Sequence, residues 1–265
     1  MLRVLRKLGL LKYLNFDIRS NGQHLPVVSG VGLTEFLYPS EPWMADLLAK
    51  LLPQVKGCFI DVGVNIGQTL LKVRSLSEIE YIGFEPNPHC VSYLSHLIKA
   101  NHFKNVSIYP VGLSEKSAVL ELDFYSESLV DSSASIVGNF RGGSISKNYV
   151  PVFKFSDIII DNKVGLVKID VEGGELEVLK GMQEMISEQR PMIVIEILPC
   201  YSIGSDRHKR QLEIEDIVKT LDYSINRIEK PGISRVGEFG VHSDVSQSDY
   251  LLIPKGKPTP LLSLS

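Results

Sequence analysis

An apolar run that drives into an acid and then meets two glycines four residues apart places the strongest constraint on how this chain can fold. The run is Gly57-Cys58-Phe59-Ile60-Asp61-Val62-Gly63-Val64-Asn65-Ile66-Gly67. A buried strand must end near the acid, the backbone must turn tightly at the glycines, and a helical pattern begins after them. Gly63 and Gly67 carry no Cβ, so a ligand can lie against the main chain there. Free N–H groups at the start of the next helix favour negative charge. A second apolar run, Tyr81-Ile82-Gly83-Phe84, ends in Glu85, one strand–helix–strand repeat downstream. In doubly wound sheets the acid closing the second strand grips the ribose of a bound nucleoside.

The glycine spacing narrows the nucleoside. Dinucleotide folds use G-x-G-x-x-G, whose middle glycine lets a pyrophosphate approach. Here Asn65 holds that place and Asp61 precedes the turn. An acid repels a pyrophosphate and attracts a cationic amino-acid head group. S-adenosylmethionine carries an amino-acid tail, a sulfonium and a ribose, with no phosphate, and fits the turn better than NAD.

The length suits one large domain, or one domain with an appendage. Hydrophobic residues make up 44% and charged residues 22%, enough for a sizeable core. A net charge of −3 argues against a general nucleic-acid binder. Cys58, Cys90 and Cys200 are scattered, with no metal-ligand spacing and no closed disulfide framework, which favours a reducing, cytoplasmic setting. No apolar stretch is long enough to span a bilayer. Residues 1–12 are basic and apolar at helical spacing without a clear signal-peptide core. Packing on the domain is the first expectation for them, and peripheral contact with the inner membrane surface is the second.

Residues 1–54 read as a helical and extended preamble. Ser40 is a candidate N-cap and Pro42 suits a first helical turn. Trp43, Leu47, Leu48, Leu51 and Leu52 mark an apolar face, and Pro53 and Gly57 close the helix. From residue 55 to 254 strands and helices alternate, which predicts parallel strands joined by right-handed crossovers. The strands are expected at 59–61, 81–85, 106–111, 164–169 and 191–196. Helices are expected at 67–74, 87–101, from 176 and at 214–221, and 223–228 with 250–253 as a closing antiparallel pair. Residues 118–150 interrupt the alternation with a half-exposed strand, 118–125, and a Ser-, Gly- and Asn-rich loop read as a substrate lid. Residues 255–265 read as a frayed tail.

Asp61, Glu85, Asp170, Glu172 and Glu196 all fall at or just beyond predicted strand ends. In an open parallel sheet that places them on the ligand-binding rim. Lys168 offsets part of the charge. For Glu175 and Glu177, a helix first-turn role is the better reading. Methyl transfer to an alcohol needs alignment of the reacting atoms and removal of one proton. Asp170 and Glu172 are the candidates for that base, with Glu196 next and His89 and His208 as remoter substitutes. No His or Cys cluster marks a metal, so no metal ligand is assigned.

With these residues in view, the chain resembles the FkbM family of class I S-adenosylmethionine-dependent methyltransferases. The resemblance rests on Phe59–Gly67, Gly83-Phe84-Glu85-Pro86-Asn87-Pro88, Phe155-Ser156-Asp157 and Val167-Lys168-Ile169-Asp170-Val171-Glu172-Gly173, and it covers about residues 55–200. It implies an α/β, Rossmann-like fold: a mostly parallel seven-stranded sheet with a reversed last strand and helices on both faces. It also implies O-methylation of a sugar, glycan or natural-product hydroxyl. By position, Asp61, Gly63, Asn65 and Gly67 would line the methionine end of the cofactor, Glu85 would bind the ribose, and Asn87 would sit nearby. Asp170 and Glu172 would belong to the active rim, and Ser132-Ser133-Ala134-Ser135 falls where the family has a small-residue segment near the site. Two departures stand out: Val64 replaces the usual alanine, and only Asp157 carries over from a Thr-Leu-Asp element. The competing readings are a non-catalytic cofactor-binding module and an NAD-linked oxidoreductase. Glu85 suits the oxidoreductase, whereas Asp61 and Asn65 do not.

Overall fold

A computed structural model describes residues 13, 15–33, 41–126, 128, 130–138, 143–229 and 232–257. The basic segment 1–12, the candidate cap Ser40, Arg141 and Gly142 of the lid, and residues 258–265 of the tail lie outside the described residues.

In chain order the elements are β1 (Asn15–Ser20), β2 (Gln23–Val28), α1 (Pro42–Leu51), β3 (Cys58–Val62), α2 (Gln68–Arg74), β4 (Tyr81–Phe84), α3 (Pro88–Asn101), β5 (Val106–Tyr109) and β6 (Gly112–Leu113). Then come β7 (Ala118–Phe124), β8 (Ser146–Phe153), β9 (Val164–Ile169), α4 (Glu175–Gln189), β10 (Met192–Glu196), α5 (Asp206–Thr220), β11 (Tyr223–Glu229), β12 (Gly232–Val236) and β13 (Asp249–Pro254).

The main sheet runs β12-β11-β13-β10-β9-β3-β4-β5. The pairs β3–β4, β4–β5, β3–β9 and β9–β10 are parallel. β13 slots between β10 and β11 and is antiparallel to both. The expected seven strands are therefore eight, because β12 pairs antiparallel with β11 at the edge. The β12 sequence, Gly232-Ile-Ser-Arg-Val236, is a short run beside a proline, too brief to show an alternating pattern. The reversed last strand is as expected.

The buried strands are apolar on both faces, as a sheet covered by two helical layers requires. Ile60, Val62, Val167, Ile169, Ile193 and Ile195 pack with α4 and α5. Phe59, Leu166, Met192 and Val194 point to the other side, toward α1, α2 and α3. Burying each such side chain contributes about 1.5–3 kcal/mol. On α1, Trp43, Met44, Leu47, Leu48 and Leu51 are buried in that second layer, so Trp43 is a core residue.

Two elements differ from expectation. β1 and β2 form an antiparallel hairpin ahead of the sheet. It clasps α3 through paired bonds between the His24 backbone and the Asn101 side chain and through Tyr93 Oη donating to the Pro26 carbonyl at 2.9 Å. The insertion contains a three-stranded sheet, β6-β8-β7, in which β8 takes up residues 146–149 of the expected lid. Among the described residues, no helix is long and apolar enough to cross a membrane.

Candidate functional site

At the carboxyl ends of the parallel strands lies a cavity of about 310 Å³. Its floor is the turn after β3. Gly63 has φ 88°, and a Cβ there would sit 1.8 Å from the Asp170 carbonyl. Any side chain would break the junction between the β3 turn and the end of β9. Asn65 also holds a left-handed φ of 51°, a conformation Asn tolerates better than most residues. Gly67, φ 90°, faces away: its Cβ would strike Leu94 and Leu97 of α3. Val64 is buried, and the space its methyl fills is the place a Cβ on Gly83 would need, 2.6 Å away. A strand glycine thus makes room for the bulkier loop residue.

Glu85 closes β4 and is almost fully buried. One carboxylate oxygen accepts from the Asn65 N–H at 2.7 Å, the other from the Asn87 N–H at 2.8 Å. Burial pushes its pKa up to about 7, although the two backbone bonds pull the other way. Asn87 in turn caps α3 by accepting from the His89 N–H at 3.0 Å. Glu85 therefore ties the glycine turn to the start of α3 while lining the cavity.

Asp170, Glu172 and Glu196 present carboxylate oxygens within 4.8 Å of one another. They stand at the ends of the neighbouring strands β9 and β10, and all three line the cavity. That spacing suits a shared cation, a feature that a search for His and Cys patterns does not detect. Glu172 holds φ 55°. Lys168, buried in β9, donates to Asp170 Oδ2 at 2.8 Å. Burial alone would raise Asp170, but the Lys168 charge and hydrogen bond outweigh it and hold the carboxyl below its ordinary range. Glu196 moves the opposite way, raised by burial and then by the Asp170 charge, and the two carboxyls are hydrogen-bonded. Burial lowers Lys168, yet Asp170 and Asp61 more than offset it, so the ammonium stays charged.

Asp61 is fully buried and does not line the cavity. It sits opposite Lys168 in the β3–β9 register and accepts a hydrogen bond from the Tyr81 hydroxyl. Burial raises it to about 6.

The remaining wall comes from the insertion. Asp131, Ser132, Ala134 and Ile136 face the cavity with Leu122 and Leu113. Asp131 shapes this wall by accepting from the N–H groups of Tyr125, Ser126 and Ser133 and from the Ser133 hydroxyl. These four bonds outweigh burial and hold its pKa below the ordinary range.

Of the predicted site residues, Gly63, Asn65, Glu85, Asn87, Asp170, Glu172 and Glu196 meet at the cavity, while Asp61 and Gly67 stand behind its wall. His89 and His208 do not line it. Glu41, which does, was not foreseen, nor was Asp131. Glu41 lies outside the alternating pattern. Asp131 sits in a polar loop where nothing marks one acid above its neighbours.

The strand order with its reversed β13, and a cavity at the carboxyl ends, define a Rossmann-like class I methyltransferase fold. Residues 61–231 match the model of the methyltransferase FkbM domain, and the chain belongs to that family. Two curated relatives are similar: methyltransferase sdnD of Sordaria araneosa, 28% identical over 52% of this chain, and methyltransferase 1 of Beauveria bassiana, 27% identical over 55%. The alignments take in 64% and 65% of those proteins, so the chain spans somewhat under two thirds of their length. Among solved structures, the FkbM methyltransferase of Methylobacillus flagellatus KT is 19% identical, with 75% of this chain and 43% of that one covered and a TM-score of 0.48. The S-adenosylhomocysteine-bound methyltransferase PaMTH1 of Podospora anserina is 10% identical, with 95% and 94% covered and a TM-score of 0.44. The family assignment rests on the domain match.

Proposed function

We propose that the chain is an S-adenosylmethionine-dependent O-methyltransferase acting on a hydroxyl of a sugar, glycan or natural-product acceptor. One observation carries this reading: Glu85 and the Asp170–Glu172–Glu196 cluster line a single cavity on either side of the Gly63 turn. The residues fit the cofactor. Gly63 leaves the main chain bare, Glu85 presents a carboxylate to ribose hydroxyls, and Leu113, Phe84 and Ile136 supply apolar lining. Asn65 and Asn87 hold Glu85 in place. Gly67 sets the entry into α2, and Asp61 steadies the β3 end through Tyr81.

The cofactor supplies an electrophilic methyl on sulfur. This chain's residues orient the acceptor and receive its proton. Asp170 is the candidate base. It is a weak one, because Lys168 stabilises its charge. A hydroxyl oxygen acquiring a methyl becomes strongly acidic, so a weak carboxylate suffices for a late proton transfer. Glu196 and Glu172 complete the acceptor rim. The acidic lining and the net charge of −3 disfavour nucleic acid as the acceptor.

Calorimetric titration with S-adenosylmethionine, with NAD as comparison, tests the cofactor. Saturable binding of the first alone is expected, and binding of NAD alone would overturn the reading. Turnover on a panel of hydroxylated sugars, lipid-linked glycans and polyketides then tests the reaction.

A further inference from the structure

The motif logic assigns the cofactor's ammonium group to Asp61, but the structure gives that carboxylate no surface to meet a ligand. Asp61 is 0% exposed, and its Oδ1 has no hydrogen-bond partner while Oδ2 is taken by Tyr81. Glu41 stands on the cavity side of the same corner. Asp61 and Lys168 share register and project to the face of the sheet covered by α1, α2 and α3. Glu41 is the N-cap of α1 on that face and lines the cavity with Gln68, Thr69 and Lys168. Lys168 feels the charge of Glu41 as well as that of Asp61. Lys72, which acts electrostatically on Asp61, lies 3.9 Å from Glu41 Oε2. The two acids thus address the same two lysines, Asp61 from inside the core and Glu41 from the cavity.

The other lining carboxylates are engaged elsewhere. Glu85 is bound by two backbone N–H groups, Asp131 by three and a hydroxyl, and Asp170 by Lys168. Glu172 and Glu196 belong to the cluster on the acceptor rim. Glu41 makes no side-chain bond to the helix it caps, and it holds a left-handed φ of 47° directly before Pro42. Strain of this kind persists only where the surroundings fix it.

We propose that Glu41, from the segment preceding the matched family domain, binds the ammonium of the cofactor's amino-acid tail, with Asp61 as a buried support behind it. The inference rests on the cofactor reading above. At 3.9 Å the Glu41–Lys72 pair is wider than a hydrogen-bonded ion pair. A zwitterion can stand against it with its ammonium on Glu41.

The test is calorimetric titration of the full chain with S-adenosylhomocysteine and with its desamino analogue, which lacks only the ammonium. The wild-type chain is expected to prefer the amino form about tenfold or more, the range of a charge-assisted hydrogen bond. Glu41→Gln, at a partly exposed position that leaves the core intact, is expected to abolish that preference without weakening the desamino analogue. Asp61→Asn is expected to keep it. The proposal is overturned if Glu41→Gln retains the preference, or if it weakens both ligands equally. Failure of the wild-type chain to bind either ligand would instead overturn the cofactor reading, and this assignment with it.

Discussion

The turn between β3 and α2 and the wall built by residues 131–136 face each other across one cavity, yet they are made in opposite ways. The turn is held mainly by its own backbone: positive φ at Gly63 and Asn65 and main-chain bonds to Phe84, with one further turn N–H, that of Asn65, on the Glu85 carboxylate. The wall is held by side chains, chiefly Asp131, which gathers three N–H groups and a hydroxyl from a loop whose described residues have no regular pairing beyond the Asp123–Ser135 bridge. A backbone-built surface can serve one ligand shape and tolerates little change. A side-chain-built surface can be recut by a few substitutions. That is the division expected of an enzyme with a fixed cofactor and a variable acceptor.

The sharpest way to break the contrast is at the shared rim. Asp170→Asn is expected to lower turnover about 100-fold or more, the scale of a lost general base. Affinity for S-adenosylhomocysteine should stay within about threefold. Single-turnover kinetics beside calorimetry, normalised to folded protein, separates the two, and an equal loss in both would place Asp170 in cofactor binding. Next comes the turn itself. Gly63→Ala forces a Cβ onto the Asp170 carbonyl at a positive φ, and a loss of about 3 kcal/mol or more in unfolding free energy is expected. A merely local effect, with unchanged denaturant midpoint, would show that the β3–β9 junction can open freely.

Glu85→Gln should weaken cofactor binding by about 2 kcal/mol, roughly 30-fold, by removing a charged acceptor of ribose hydroxyls. On the opposite wall, Asp131→Ala should cost about 1–2 kcal/mol in stability through its freed N–H groups. It should also change acceptor KM more than cofactor affinity. If it instead weakened the cofactor as strongly as Glu85→Gln, the two walls would not be separate.

The smallest expected effect is on pH dependence. Glu85 and Glu175 are both raised to about 7, and Asp61 to about 6, each chiefly by burial. A carboxyl raised in the folded state contributes most below its unfolded value and loses that contribution as pH rises through the folded one. The ligand-free chain should therefore melt a few degrees higher near pH 5.5 than at pH 8. Glu85→Gln should flatten part of that slope in a thermal unfolding series.

What could be read from the sequence follows the same division. Strand ends and the glycine turn are legible because a continuous apolar run closing on an acid marks a strand buried on both faces and a glycine marks a positive φ, and β9 falls on the expected residues, Val164–Ile169. Asp61 precedes the turn in the sequence, but its burial beneath the cavity depends on Tyr81 and Lys168 from other strands, which no local pattern shows. The hairpin at residues 15–28 and the edge strand β12 went unread because each is short and borrows its stability from partners distant in sequence. Asp131 and Glu41 were invisible for a related reason. Each is one acid among many polar neighbours, and tertiary packing alone selects it.

The fit of Val64 into the space above Gly83 also limits the order in which these two positions can change. While Val64 is present, a methyl on Gly83 would sit 2.6 Å from a valine methyl and 2.8 Å from Ile108, so Gly83→Ala is closed as a first step. Val64→Ala empties that volume and leaves the movable end of Ile108 and, at 3.2 Å, the edge of the Tyr81 ring to give way. The strand change is therefore easier after the loop change than before it.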